Sequence, residues 1–422
     1  MIARGGGAPL AVLANIVIAR LLGTNGYGQY MTLLSAGLLV GGISTFGTGP
    51  VCTREIAIQR GAAQQTAIGM IARWALRFTS IISILTVSVL LIWFAFCPAA
   101  PESTWPQRIA VVWIVPTSVW AILVVSILIG MGRVAKSQMI QNVWKNGIVL
   151  VGATILMFVG IRNNVVALLF VQVMAFAGAA AVGLWWIRRA RSTDVPQGFQ
   201  SRDFSLELGA TALRTWRFSA GLFFAGTLAT LLLDKVDVLI VDAVGGQTMA
   251  GIFAAAARLG QLAGVSGLVW TAWLQPRMAY QQRQRSGGSL RRLLRMGVIG
   301  NVSITTIIVV LGWLFADQIM ALLGSGFGAA VAPFRWLLAG YLVWSISIPF
   351  YVFLSMSGKE ALVARIFWIQ VVVTVTLSIP LITHFGALGG AWAWSGGMTL
   401  AGVLFIVFGF RWYARKRPYL EV

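Results

Sequence analysis

The feature that most constrains this chain is a series of long apolar runs separated by short, mostly polar links. A helix needs about 20 apolar residues to cross the hydrocarbon core of a bilayer. A spanning segment must also satisfy its own backbone hydrogen bonds, so such runs predict membrane helices. The twelve predicted spans are 8–22, 27–49, 74–97, 109–130, 144–161, 164–187, 216–241, 248–274, 296–320, 331–354, 361–382 and 388–410.

The composition supports an integral membrane protein. Hydrophobic residues make up 58% of the chain and charged residues only 10%, whereas a soluble domain carries about 25% charged residues. In a soluble protein the net charge of +21 would favour nucleic acid as a partner. Here the basic residues lie mostly in short links between apolar runs, so no nucleic-acid partner is predicted. The first run has no clear cleavage site after it, which favours a spanning helix over a signal peptide.

The basic residues also predict the orientation of the chain. Lys and Arg are concentrated at both termini and in the links that follow even-numbered spans. The opposite side carries only Arg20, Arg108, Arg162 and Arg335. Because cytoplasmic loops are enriched in Lys and Arg, both termini are predicted to be cytoplasmic. An odd number of spans would break this alternation, so the charges also support twelve spans.

An internal repeat predicts two lobes. A constant offset of 223 residues relates Gly28 to Gly251, Arg54 to Arg277, Arg60 to Arg283 and Lys136 to Lys359. We therefore predict an N-terminal six-helix lobe (1–187), a cytoplasmic linker (188–215) and a C-terminal six-helix lobe (216–422). Six spans is an even number, so the lobes are parallel repeats, an arrangement known in transporters, with the substrate expected between them.

Charged residues occur inside two predicted spans. Asp234, Lys235, Asp237 and Asp242 lie in or beside the seventh span, and Arg258 lies about halfway along the eighth. A charge at the centre of a membrane helix costs roughly 2.5–3.5 kcal/mol on insertion scales. Such residues usually face a protein interior or a watery cavity, so this stretch predicts a substrate or ion path.

No metal, cofactor or catalytic residue is predicted. The chain has one histidine, His384, and no Cys/His cluster. Cys52 and Cys97 fall at opposite ends of their predicted helices, which argues against a disulfide. The external links are short and hold no acid/base constellation, which argues against a membrane enzyme such as a polysaccharide polymerase.

Five short motifs follow one another along the chain: IARLLGTNGYGQY (Ile18–Tyr30), TREIA (Thr53–Ala57), DVLIVDAVGGQTMAGIFAAAARL (Asp237–Leu259), LSMSGKEALVARI (Leu354–Ile366) and FGALGGAWAW (Phe385–Trp394). Their order and spacing resemble those of polysaccharide flippases of the Wzx type, which belong to the multidrug/oligosaccharidyl-lipid/polysaccharide (MOP) exporter superfamily. The resemblance implies two helix bundles in a V that open alternately to each side of the bacterial inner membrane. It also implies an isoprenoid-diphosphate-linked oligosaccharide as substrate, and membrane lipids and polysaccharide polymerase or chain-length machinery as partners.

A diphosphate substrate suggests roles for the charged residues. Arg258 is the first candidate because a guanidinium pairs with phosphate oxygens in a fixed fork; alternatively it pairs with Asp237 or another acid and holds two helices together. Lys235 either binds phosphate or neutralises Asp234 or Asp237. Asp237 and Asp234 are candidates for a coupling proton or sodium ion, or for a structural ion pair.

Three further polar residues are candidates for the cavity. Arg20 and Arg335 lie near the outer ends of the first and tenth spans, where they either receive the head group or snorkel to the interface. Asn15 lies mid-helix in the first span and either lines the cavity or bonds to a neighbouring helix.

The alternative function is a small-molecule or drug antiporter of the MATE type. The first helix of such transporters generally carries an acidic coupling residue, and span 8–22 has none. The sequence therefore favours a lipid-linked oligosaccharide flippase.

Overall fold

The computed structural model describes residues 7–61, 65–96, 104–193, 207–283 and 287–420, and no strand occurs within these ranges. The α-helices are α1 (Gly7–Ser44), α2 (Thr48–Gly61), α3 (Gln65–Phe96), α4 (Trp105–Gly130), α5 (Val134–Gln138), α6 (Lys145–Phe158), α7 (Val165–Thr193), α8 (Glu207–Arg283), α9 (Gly287–Leu314), α10 (Ala316–Ala321), α11 (Val331–Met356), α12 (Glu360–Phe385) and α13 (Ala387–Leu420). A π-helical turn, Met139–Trp144, joins α5 to α6, and a 3₁₀ turn, Ser325–Ala330, precedes α11.

The prediction of an all-α membrane fold is confirmed. Within the described ranges, eight helices are long and apolar enough to cross a membrane. Helix α1 contains the first and second predicted spans, and α8 contains the seventh and eighth. Two predicted boundaries are corrected: α1 ends at Ser44, where Phe46 adopts a φ of 44°, and the ninth span ends at Leu314.

Glycines make the sharp bends inside the two longest helices. Gly23 in α1 has φ 64° and ψ −175°, and Gly246 in α8 has φ 79° and ψ 173°. This backbone region is essentially restricted to glycine. Gly246 follows Gly23 by 223 residues, and the same offset relates Asn163 (φ 57°) to Gly386 (φ 58°). The backbone therefore repeats with the offset found in the sequence.

The chain forms two compact units. The first unit comprises Met1–Leu22 and Leu33–Leu231, and the second comprises Gly23–Thr32 and Leu232–Val422. The second unit thus includes the first turns of the helix that follows the Gly23 bend. Residues 194–206 of the predicted linker and Cys97 lie outside the described residues, whereas Cys52 is buried. The predicted bounds of the two lobes and of the linker between them remain predictions.

The core of the second unit is apolar, with a few buried polar contacts between helices. Leu274 of α8 packs in one cluster with residues of α11 and α13 that include Phe353 and Phe405. Deeper in the same unit, Ser266 and Thr305 share a hydrogen bond of 2.6 Å. Because side chains surrounded by hydrocarbon have few other partners, such bonds help to fix how membrane helices pack.

Candidate functional site

The charged residues of α8 lie on two arms that meet at Gly246. Asp234 and Lys235 belong to the arm before this bend, and Arg258 belongs to the arm after it. Asp234 and Arg258 are equally far from Gly246 in the chain, so at 1.5 Å per residue each lies about 18 Å from the bend. A bilayer core is about 30 Å thick, so for the seventh and eighth predicted spans this distance corresponds to a position near mid-membrane depth.

Lys235 and Asp234 form an ion pair. The Nζ atom of Lys235 lies 2.8 Å from Oδ2 of Asp234. The lysine side chain is only 10% exposed and the aspartate side chain is 49% exposed. The buried Lys235 therefore contacts a half-exposed carboxylate. Because Asp234 lies on the same arm of α8, the positive charge of Lys235 is compensated within that arm.

Gln261 joins Arg258 to this ion pair. Nη1 of Arg258 donates to Oε1 of Gln261 at 3.3 Å, and Nε2 of Gln261 donates to Oδ1 of Asp234 at 3.5 Å. The two arms of α8 are thus connected by a chain of four side chains, Arg258–Gln261–Asp234–Lys235, which we call the α8 network. The structure brings together three of the predicted site residues through a glutamine that the sequence analysis did not select.

Asp237 is close to this network but bonded differently. Its Oδ1 atom accepts a hydrogen bond of 2.8 Å from the backbone N–H of Val238. Arg258 and Lys235 interact with Asp237 electrostatically, yet no salt bridge within 4 Å joins Arg258 to an acid in the described part of the chain. Arg258 is therefore hydrogen-bonded to a neutral amide.

Three buried tyrosines of the second unit lie near enough to Arg258 to interact with its charge. Its charge acts on the hydroxyl groups of Tyr27, Tyr30 and Tyr341. Tyr27 contacts Phe327 edge-to-face with ring centroids 5.8 Å apart, and Tyr341 lies 5.0 Å from the ring of Trp394.

A crossing of two backbones positions Tyr27 and Tyr30. A Cβ atom added to Gly28 would overlap the carbonyl oxygen of Gln247 and lie 2.7 Å from the backbone nitrogen of Gly251. The crossing therefore requires glycine at both positions, because no side chain fits between the helices. Gly28 and Gly251 are also partners in the 223-residue repeat, so equivalent positions of the two repeats touch at this point.

Arg335 belongs to a separate ion pair. Its Nη2 atom lies 3.0 Å from Oδ2 of Asp317 in α10, and its guanidinium lies 5.9 Å from the ring centroid of Trp313. No contact joins this pair to the α8 network in the ranges that the structure describes. Arg335 is thus held by a neighbouring acid.

Arg20 and Asn15 lie in the first unit, on the first arm of α1. Arg20 is exposed. Asn15 is half-buried, and its Nδ2 atom donates to the backbone oxygen of Ala11 at 2.7 Å. Neither belongs to the α8 network, and their roles in binding remain predictions.

The site residues that the sequence analysis missed carried weak signals. Gln261 follows Arg258 by three residues, so both share one helix face. Tyr27 and Tyr30 have the same spacing but are far from Arg258 in the chain, and only the Gly28–Gly251 crossing brings them close. Across the described residues, no group of three or more His, Cys, Asp or Glu side chains is placed to hold a metal ion.

The fold is shared with solved membrane transporters. An inward-facing multidrug resistance MATE family transporter of the MOP superfamily is 15% identical with a TM-score of 0.78, covering 99% of each chain. The outward-facing conformation of a transporter of the same family gives 16% identity and a TM-score of 0.66, covering 100% of this chain and 94% of that one. The lipid II flippase MurJ, in an inward closed conformation, gives 11% identity and a TM-score of 0.70, covering 96% of this chain and 86% of MurJ.

The family follows from the sequence. No curated protein matches the chain. A family model described as "Polysaccharide biosynthesis protein" matches residues 1–282, which include α1 through most of α8. The resemblance to Wzx-type flippases is thereby confirmed at the level of the family: the chain belongs to the polysaccharide biosynthesis protein family and has the fold of the membrane transporters of the MOP superfamily.

Proposed function

We propose that this protein is a flippase for isoprenoid-diphosphate-linked oligosaccharides. It moves repeat units for a surface polysaccharide from the cytoplasmic to the periplasmic leaflet of the bacterial inner membrane. Both termini are cytoplasmic, and transport proceeds by alternating access. Two findings support the proposal: one structural neighbour is a lipid II flippase, and the family to which the chain belongs is described as a polysaccharide biosynthesis protein.

The observation that carries the proposal is the bonding of Arg258. A guanidinium has five N–H donors, and the only hydrogen bond recorded for Arg258 in the described residues is the 3.3 Å contact with Gln261. The neighbouring cation, Lys235, already has its carboxylate. Since a charge inside a membrane is costly and most donors of Arg258 are not used by the contact with Gln261, Arg258 favours a ligand whose negatively charged oxygens accept hydrogen bonds.

A diphosphate meets this requirement. Its oxygens accept bidentate hydrogen bonds from a guanidinium, and such charge-assisted bonds are about twice as strong as neutral ones. The diphosphate and its sugars are too polar to cross hydrocarbon alone, whereas the isoprenoid tail is soluble there. The α8 network therefore offers the polar head a cation at the depth where crossing costs most.

The test is complementation of a deletion strain, with the amount and leaflet of the lipid-linked oligosaccharide as the readout. The wild-type gene should relieve accumulation on the cytoplasmic side. Arg258→Ala should reduce the transport rate about tenfold or more, because a hydrogen bond to a charged group is worth about 1.5–3 kcal/mol. Arg258→Lys keeps the positive charge but loses the pair of parallel N–H donors with which a guanidinium binds two phosphate oxygens. It should therefore restore only part of the transport rate.

The matched control is Arg292→Ala, which removes an exposed arginine of α9. It should transport as the wild type does, at equal protein level. Full relief by Arg258→Ala would remove Arg258 from the substrate path. Absence of lipid-linked oligosaccharide accumulation, together with altered drug tolerance, would favour a MATE-type antiporter, the second candidate that the fold similarity supports.

A further inference from the structure

The first unit contains a cluster of carboxamide side chains at the π-helical turn between α5 and α6. Nδ2 of Asn142 donates to Oε1 of Gln138 at 2.9 Å, and Nδ2 of Asn146 donates to the backbone oxygen of Asn142 at 2.9 Å. Each residue follows the last by four positions, so the three amides form a ladder along one face. We call Gln138, Asn142 and Asn146 the amide ladder.

The ladder is positioned against the start of α1. Gly7 packs so tightly on Asn142 that a Cβ atom added to the glycine would overlap the asparagine side chain. The backbone oxygen of Gly7 also accepts a hydrogen bond of 3.4 Å from Nδ2 of Asn146. Lys145 is the first residue of α6, and its Nζ atom lies 5.6 Å from the ring centroid of Phe176 on α7. The ladder is therefore a neutral polar surface.

Packing does not account for the whole ladder. The Gln138–Asn142 hydrogen bond joins two residues of one continuous segment, so it holds no two separate helices together. Both side chains are only half-buried. Within the described ranges, Nε2 of Gln138 and Oδ1 of Asn142 have no recorded hydrogen-bond partner, which leaves two donors and two acceptor lone pairs side by side.

The π-helical turn supports a functional origin. Such turns are rare and occur frequently at functional sites. The equivalent positions of the second unit, at the 223-residue offset, are Ala361, Arg365 and Ile369, and they lie in the unbroken helix α12. The scaffold therefore requires neither the turn nor the amides, and both are specific to the first unit.

From these observations we propose that the amide ladder is a sugar-binding site, which recognises the neutral hydroxyl groups of the transported oligosaccharide. Adjacent donors and acceptors on uncharged groups suit vicinal hydroxyls, each of which both donates and accepts. Among the described residues, the neighbouring cation Lys145 lies against Phe176 of α7, so hydroxyl groups match the ladder better than an anion does. The inference rests on the proposed function, because it takes its ligand from that substrate.

The experiment measures binding to the purified full-length protein in lipid nanodiscs by calorimetry. One probe is the oligosaccharide released by mild acid from the lipid-linked intermediate of the deletion strain, and the other is inorganic diphosphate. Asn142→Leu should weaken binding of the oligosaccharide about tenfold, as expected for the loss of one or two neutral hydrogen bonds. The same variant should bind diphosphate as the wild type does. Arg258→Ala should show the opposite pattern.

The matched control is Gln141→Leu, which removes an exposed amide of the same turn that is not in the ladder; it should leave both affinities unchanged. Gln138→Leu is a second ladder variant for the case in which Asn142→Leu does not fold. Equal oligosaccharide affinity of the ladder variants and the wild type would overturn the inference and leave the flippase intact. If the deletion strain accumulates no lipid-linked oligosaccharide, the proposed function fails and the sugar site fails with it.

Discussion

The crossing of Gly28 and Gly251 allows a quantitative prediction. In Gly28→Ala, the new Cβ would lie 2.7 Å from the backbone nitrogen of Gly251, whereas an ordinary contact is about 3.5–4.0 Å. Because backbone atoms cannot rotate away, the helices must separate by on the order of 1 Å. Overpacking of this kind costs about 1–3 kcal/mol, and the separation also loosens the buried Tyr27 and Tyr30. We expect a net destabilisation of about 2–3 kcal/mol.

The control is Gly396→Ala in α13. Gly396 is exposed, and an added Cβ would meet no atom within 4 Å. Replacing a helical glycine by alanine should then be neutral or should stabilise by about 0.5–1 kcal/mol. The fraction of purified protein that stays folded after heating, measured by fluorescence-detected size-exclusion chromatography in detergent, compares the variants directly.

A double-mutant cycle tests whether the two glycines act at one contact. Once Gly28→Ala has separated the helices, Gly251→Ala should cost much less than it does alone, so the double variant should be less destabilised than the sum of the single variants. If Gly28→Ala melts at the same temperature as Gly396→Ala, the close approach of the two backbones is refuted. Additive effects would instead indicate that each glycine acts at a separate place.

Three further predictions concern polar contacts of the second unit, and each is measured by the same heating assay. Asp234→Asn should destabilise the protein by about 1–3 kcal/mol, because it leaves the buried Lys235 without its carboxylate while the half-exposed position limits the cost; adding Lys235→Met should recover most of the loss. Arg335→Gln should change stability by less than about 1 kcal/mol, because its ion pair is largely exposed to its surroundings. Thr305→Val should cost about 0.5–1.5 kcal/mol, because it removes the hydrogen bond between the hydroxyl groups of Thr305 and Ser266, while Ser266 still donates to the backbone oxygen of Ala263.

Sequence patterns specify those parts of the fold that depend on local hydrophobicity. The apolar runs locate the membrane helices because each run must satisfy its backbone within itself. The repeat was evident from matching glycines and basic residues at a constant offset. The end of the second span at Ser44 was signalled by the stretch GGISTFGTGP around Phe46, which is rich in Gly, Ser, Thr and Pro, but the predicted span continued past it to residue 49.

The side-chain contacts of the site depend on geometry that patterns do not contain. The sequence analysis selected Arg258 because a charge is rare in an apolar helix. That argument does not depend on knowing which side chain Arg258 contacts. Its hydrogen bond to Gln261, and the link from there to Asp234, depend on how the Gly246 bend brings two arms of α8 together. The sequence analysis did not predict the π-helical turn at Asn142. The backbone hydrogen bond of a π turn spans one residue more than that of an α turn. The spacing of apolar residues in so short a segment does not distinguish the two.

The repeat provides a scaffold in which polar groups are distributed unequally. The backbone features that shape the scaffold recur in both halves, as at Gly23 and Gly246. The charges do not: the positions that correspond to Asp234 and Arg258 at the 223-residue offset are Ala11 and Ser35. Likewise, the position that corresponds to Asn142 is Arg365. A charge in a membrane helix is costly in either repeat. The symmetry of the scaffold therefore does not explain why these charges occur in one repeat and not in the other. The α8 network and the amide ladder are therefore features that the repeat itself does not account for.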